Sequence, residues 1–167
     1  MTGNTTAMEP EKVQIIIGTK EDLSDLLELI QELAEFEKSP DSVINSEERM
    51  IAEWDHFNFV LARKGGKTLG MAVYFFSYST WVGKSLYLDD LYVKEEYRGR
   101  GIGRRLLDHV LNLGWNEKCR RVRWQVLDWN EPAIAFYEKI GARISKEWYN
   151  CDMDQKALEE YLNQKAN

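Results

Sequence analysis

The segment Arg98-Gly99-Arg100-Gly101-Ile102-Gly103 stands between a strand pattern at residues 86–93 and a helical stripe of Ile102, Leu106, Leu107, Val110 and Leu113. No other stretch restricts the fold as much. Glycine lets a chain turn sharply out of a strand and brings the backbone close to a ligand without a Cβ clash. The first N–H groups of the following helix have no intrahelical acceptor, and the helix dipole adds partial positive charge where they converge. A strand, a Gly-rich turn and an open helix N-terminus together suit a phosphate or pyrophosphate. The spacing is Gly-x-Gly-x-Gly and not Gly-x-Gly-x-x-Gly, which argues against dinucleotide binding.

The rest of the chain is read around that turn. Residues 13–17 suit a short strand. Thr19 caps a helix with Asp22 at its N3 position, and Leu23, Leu26, Leu27, Ile30, Leu33 and Ala34 form one stripe. After a turn at Pro40, Ser46 caps a weaker helix over residues 46–54. Residues 57–63 and 68–78 read as antiparallel strands joined by Lys64-Gly65-Gly66-Lys67. Gly66-Lys67-Thr68 is like the tail of a P-loop, but that motif needs Gly at position 61, where Leu61 stands. Residues 121–127 alternate Val122, Trp124 and Val126 with Arg121, Arg123 and Gln125, as a half-buried strand does. Asn130 caps a helix running through Pro132, Ala133, Phe136 and Tyr137 to Gly141. Residues 142–153 read as a last strand and residues 154–163 as a terminal helix. The order β-α-α-β-β-β-α-β-α-β-α predicts an α/β fold, a mixed sheet flanked by helices, as a single domain over residues 12–167. Residues 1–11 are polar and are expected to form a disordered tail.

Composition narrows the function classes. An apolar fraction of 44% with 12% aromatics is enough for an ordinary core. The net charge of −6 argues against nucleic acid as the main partner and suits a cationic substrate. The apolar run at residues 71–76 is far too short to span a bilayer, and the N-terminus has no apolar signal region, so the reading is a cytoplasmic protein without a membrane partner. Cys119 and Cys151 form no pairing pattern, and His56 and His109 have no metal spacing, so no metal is expected. Catalysis then falls to carboxylates, tyrosine or backbone groups.

Arg98-x-x-Gly101-x-Gly103 after Tyr87-Leu88-Asp89-Asp90-Leu91-Tyr92-Val93 is similar to the pyrophosphate-binding motif of the GNAT superfamily of N-acetyltransferases. The stretch from Asn130-Glu131-Pro132-Ala133 through Phe136-Tyr137 to Gly141-Ala142 resembles a second element of that superfamily. Within it, Leu33-Ala34-Glu35-Phe36-Glu37, Trp81-Val82-Gly83-Lys84 and Asp128-Trp129-Asn130-Glu131-Pro132 resemble the spermidine/spermine acetyltransferase group. Phe76-Ser77-Tyr78-Ser79-Thr80-Trp81 is most similar to its thialysine branch, because the polyamine branch carries an acidic residue where this chain has Ser79.

The resemblance implies a GNAT-like, mostly antiparallel sheet and acetyl-CoA as co-substrate. It implies acetyl transfer to the primary amine of a small lysine-like molecule such as thialysine, by direct attack in a ternary complex. A diamine or polyamine is the alternative substrate, with a protein amine or a non-catalytic acetyl-CoA-binding module behind it. Coenzyme A is expected along Leu91, Tyr92 and Val93, on the turn Arg98, Gly99, Arg100, Gly101, Ile102 and Gly103, and at Asn130, Ala133 and Tyr137. A strand bulge is expected to free the Leu91 N–H for the thioester oxygen. Tyr137 takes the general-acid position and Asp89 the general-base position, where the family usually has Glu. The shorter Asp favours a water relay. Substrate binding is assigned to Phe36, Glu37, Trp81, Asp89, Asp90, Glu147 and Trp148. On a regular strand Asp89 and Asp90 would point to opposite faces, so only one could serve a given site. A homodimer is expected, with residues 143–153 and the aromatics Trp148 and Tyr149 at its interface.

Overall fold

In the computed structural model, which describes residues 12–165, hairpins build most of the sheet. β1 (Gln14–Ile17), β2 (Asn58–Lys64), β3 (Lys67–Ser79) and β4 (Gly83–Val93) lie side by side and antiparallel, and β5 (Arg121–Arg123) pairs in parallel with β4. The β2–β3 turn places Gly65 and Gly66 at φ 57° and 72°. That backbone matches the right-handed twist of the paired strands, so Gly-Lys-Thr here belongs to a hairpin and not to a P-loop.

The expected α/β architecture is present: a five-stranded, mostly antiparallel sheet with helices against it. α1 (Leu23–Phe36) follows a short 3-10 turn in which Asp22 accepts from both the N–H and the hydroxyl of Thr19, 2.9 Å each. α2 (Glu47–Ala52) is capped by Ser46, whose hydroxyl accepts from the Arg49 N–H at 3.3 Å. Leu23, Leu26 and Leu29 of α1 pack with Phe59, Leu61, Met71, Val73 and Tyr92 on one sheet face. The alternate residues Val60, Ala62, Ala72, Leu86 and Leu88 are buried on the other. There α3 (Ile102–Asn116) sets Ile102, Leu106, Leu107 and Val110 against the sheet. Arg63 holds α1 to the sheet through Asp22 at 2.8 Å and Asp25 at 2.7 Å.

Two units divide after Gln125. The second holds α4 (Glu131–Lys139) and α5 (Gln155–Lys165), the latter started by Asp154, whose carboxylate accepts from the Ala157 N–H at 2.7 Å. Two sequence expectations fail around this division. β5 stops at Arg123 and does not run to Leu127, and residues 142–153 form no strand. The reason is visible in the pattern: Ile144 and Trp148 are the large apolar side chains on one side of that segment, and Lys146 lies between them. A broken stripe gives a strand no face to bury, and Tyr149 is 96% exposed. The expected tail, residues 1–11, lies outside the described residues.

Candidate active site

The site begins at a break in the β3–β4 ladder. Val73 pairs with Asp90 and Tyr74 with Leu88, so Asp89 has no opposite residue in β3. This is a β-bulge, and it resets the alternation of β4. Leu86 and Leu88 face α3 before the bulge, and Leu91 and Val93 take that face after it. Asp89 and Asp90 therefore share the opposite face, the one that carries Val73, Tyr92 and α1. The expectation of opposed aspartates is corrected by that one extra residue.

Glu37 joins them from the C-terminal end of α1. Burial pushes the Asp90 carboxyl up to about 7, and the neighbouring charges of Asp89 and Glu37 add to the shift. Asp89 keeps its contact with solvent, yet desolvation by the surrounding protein raises its carboxyl as well, and the same cause raises Glu37. Carboxyls pushed together on a half-buried face repel one another and gain from a cation set among them.

The Gly-rich turn lies at the end of β4. A 3-10 turn, Glu95–Tyr97, leads into Arg98, and Gly99 and Gly101 follow at φ 73° and 76°. A Cβ added at either glycine would meet no protein atom within 4 Å, so the turn presents open backbone. The first helical bond of α3 runs from the Arg105 N–H to the Gly101 carbonyl at 3.1 Å. The N–H groups of Ile102, Gly103 and Arg104 precede any helical acceptor and point out of the helix start. Gly103 packs over Val93, with 3.6 Å to the position of a Cβ.

Arg98 and Arg100 are held by their surroundings. Arg98 donates from Nε to the Val93 carbonyl at 2.9 Å and lies 4.6 Å from the Phe36 ring centre and 5.4 Å from that of Tyr92. Arg100 donates to the Glu96 carbonyl at 3.0 Å and lies over Tyr97. Sequence reasoning placed Arg98 in the turn but missed its stacking partner, Phe36, for which no local signal exists.

Trp81 is not brought to this face. It sits 87% exposed in the β3–β4 turn, beyond the Ser79–Gly83 pair, about 20 Å along the strands from the Val73–Asp90 pair at 3.3 Å per residue. In the second unit, Tyr137 is buried on α4, 8% exposed, and burial raises its phenol. Asn130 caps α4 by accepting from the Ala133 N–H at 3.4 Å. Glu147 and Trp148 lie exposed in the irregular segment between α4 and α5, with no regular element to fix them.

Known proteins resemble this chain in sequence and in fold. The pattern of the Acetyltransferase (GNAT) family matches residues 23–142. Thialysine N-epsilon-acetyltransferase of Sus scrofa is 37% identical over 154 residues, covering 83% of this chain and 91% of its own length. The Caenorhabditis elegans protein of the same name is 32% identical over 156 residues, with 90% and 98% covered. Among solved structures, an aminoglycoside N-acetyltransferase in complex with CoA shares the fold at a TM-score of 0.70 and 16% identity, covering 88% of this chain and 98% of its own.

Proposed function

The chain belongs to the acetyltransferase (GNAT) family and is an N-acetyltransferase, and on that premise we propose that it transfers acetyl from acetyl-CoA to the terminal primary amine of a small lysine-like substrate such as thialysine. The observation that carries the reading is the β4 bulge, which gathers Asp89 and Asp90 on the face that Glu37 also borders. Such a face attracts a small cation. The names of the Sus scrofa and Caenorhabditis elegans relatives support a lysine-like amine.

The residues at the turn fit the pyrophosphate of acetyl-CoA. Gly99 and Gly101 leave their backbone uncovered, and the N–H groups at the start of α3 supply donors aided by the helix dipole. When bound, acetyl-CoA supplies the thioester that is the acetyl source. An alkyl amine with a pKa of about 10.4 arrives protonated, so its proton has to be removed before attack. Asp90 and Glu37 hold the ammonium, and Asp89 accepts the proton through water. The amine nitrogen bonds to the acetyl carbon while the carbon–sulfur bond breaks. The Leu91 N–H at the bulge meets the carbonyl oxygen as it gains charge. Tyr137, assigned by its motif position, donates its phenolic proton to the departing thiolate, and the second proton that the nitrogen sheds as the amide forms restores the phenol. Asn130 and Ala133 take the pantetheine arm by the same motif.

Initial rates with both substrates varied test the order of events. Intersecting double-reciprocal lines are expected for direct attack in a ternary complex. Parallel lines would mean an acetylated protein and would remove the direct-attack mechanism. A second reading, a diamine or polyamine as acceptor, is favoured by the number of carboxyls, since Asp89, Asp90 and Glu37 together exceed what one ammonium needs. A homodimer and a cytoplasmic location complete the proposal, and a sedimentation mass of twice the 19.6 kDa chain checks the first.

A further inference from the structure

The geometry points to Arg98 as a positioning residue for the amine side of the site: its stacked guanidinium fixes the end of α1, and with it Glu37, against the strand that carries Asp90. The inference rests on the acetyltransferase reading above and deepens it. A positive side chain in a phosphate-binding turn is ordinarily read as a phosphate ligand. The contacts of Arg98 run the other way.

Its Nε donates back to the Val93 carbonyl at 2.9 Å, closing the 93–98 segment on itself. Its guanidinium stands over Phe36 at 4.6 Å and Tyr92 at 5.4 Å from the ring centres. Phe36 is the last residue of α1, immediately before Glu37, and packs on the core cluster to which Tyr92 belongs. Tyr92 is two residues beyond Asp90 on the same strand face. Arg98 thus touches the residue next to one carboxylate and the residue one step along the face from the other. A planar guanidinium can stack on an aromatic ring and donate in its own plane at once. A lysine ammonium is a compact point charge and cannot do both, so Arg98→Lys keeps the charge and removes the strut.

The test compares wild type, Arg98→Lys, Phe36→Leu and the double variant. KM is measured for acetyl-CoA and for thialysine at low and high salt, and calorimetry follows thialysine binding to CoA-loaded protein. Each single variant should raise KM and Kd for thialysine about fivefold, the loss of one such contact, and leave the acetyl-CoA KM within about twofold. The double variant should be no worse than the poorer single one, because both changes break one contact. The acid limb of the thialysine kcat/KM profile should move in both. Additive effects, or a salt-dependent rise in acetyl-CoA KM with thialysine KM unchanged, would overturn the assignment and make Arg98 a phosphate ligand. If Arg98→Lys does not fold, Arg98→Gln is measured in its place and the same split decides. A wild-type protein that neither binds nor acetylates any amine would instead defeat the functional reading.

Discussion

In the proposed mechanism Asp90 holds the amine, and burial pushes its carboxyl up to about 7. Its folded pKa of about 7 lies above the ordinary 3.8, so the native protein binds more protons than the unfolded chain between those values. Its contribution therefore falls as pH rises from about 4 through 7, and above that the folded state carries an unfavourable charge. Asp90→Asn should stabilise the unliganded protein at pH 8 by on the order of 1 kcal/mol, measured by denaturant titration, with little effect at pH 4.5. The same change should raise the amine KM at pH 8 by about tenfold or more, since one charge-assisted contact is lost. Wild-type amine KM should fall between pH 6 and 8 as the carboxylate ionises, and Asp90→Asn should flatten that limb. In the same proposal Tyr137 works in the opposite sense. Burial raises its phenol, so it stays protonated across the working range and can give its proton to a thiolate. Tyr137→Phe should lower kcat about a hundredfold while CoA affinity, read by calorimetry, stays within twofold.

At the scale of elements, the proposal divides the labour between the turn, for acetyl-CoA, and the bulge, for the amine. Gly101→Ala places a side chain in open space at φ 76°, which costs about 1–2 kcal/mol of backbone strain. Gly114→Ala meets Val122 Cγ2 at 2.7 Å inside the packing of α3, an overpacking cost of about 1–3 kcal/mol. The two should melt at similar temperatures, yet only Gly101→Ala should raise the acetyl-CoA KM. The helices, the hairpins and the turn were legible because each is written locally, in Thr19 and Asp22, in Gly65-Gly66, and in the stripe from Ile102 to Val110. The bulge was expected from the family resemblance, and the chain also carries a local mark of it. Apolar residues at Leu86 and Leu88 recur at Leu91 and Val93, a slip of one in a period of two, and that slip is what an inserted residue produces. The missing strand over residues 142–153 is marked only by Lys146, which breaks the apolar stripe between Ile144 and Trp148. Strand formation there depends on a partner, and local alternation alone cannot supply one. The Arg98–Phe36 stack joins residues far apart in sequence and was equally invisible.

For the whole molecule, the proposal has the net charge of −6 and the carboxyl-rich face act together on a cationic substrate. Raising ionic strength from about 0.02 to 0.5 M should increase the amine KM severalfold and more steeply for a dication than for a monocation, as screening shortens the reach of the field. The acetyl-CoA KM should change less, because the backbone donors of residues 98–103 are dipoles and not net charges. No described helix is long and apolar enough to cross a membrane.

Thiol release from acetyl-CoA, followed across thialysine, lysine, spermidine, spermine and short diamines, tests the central claim most directly. Release should occur only with primary amines and with the highest kcat/KM for thialysine. A kcat/KM that is higher for spermidine or a diamine would move the substrate to the polyamine class. No release with any of these amines, from protein that still binds CoA, would contradict the account of the carboxylate face as an amine-acetylating site.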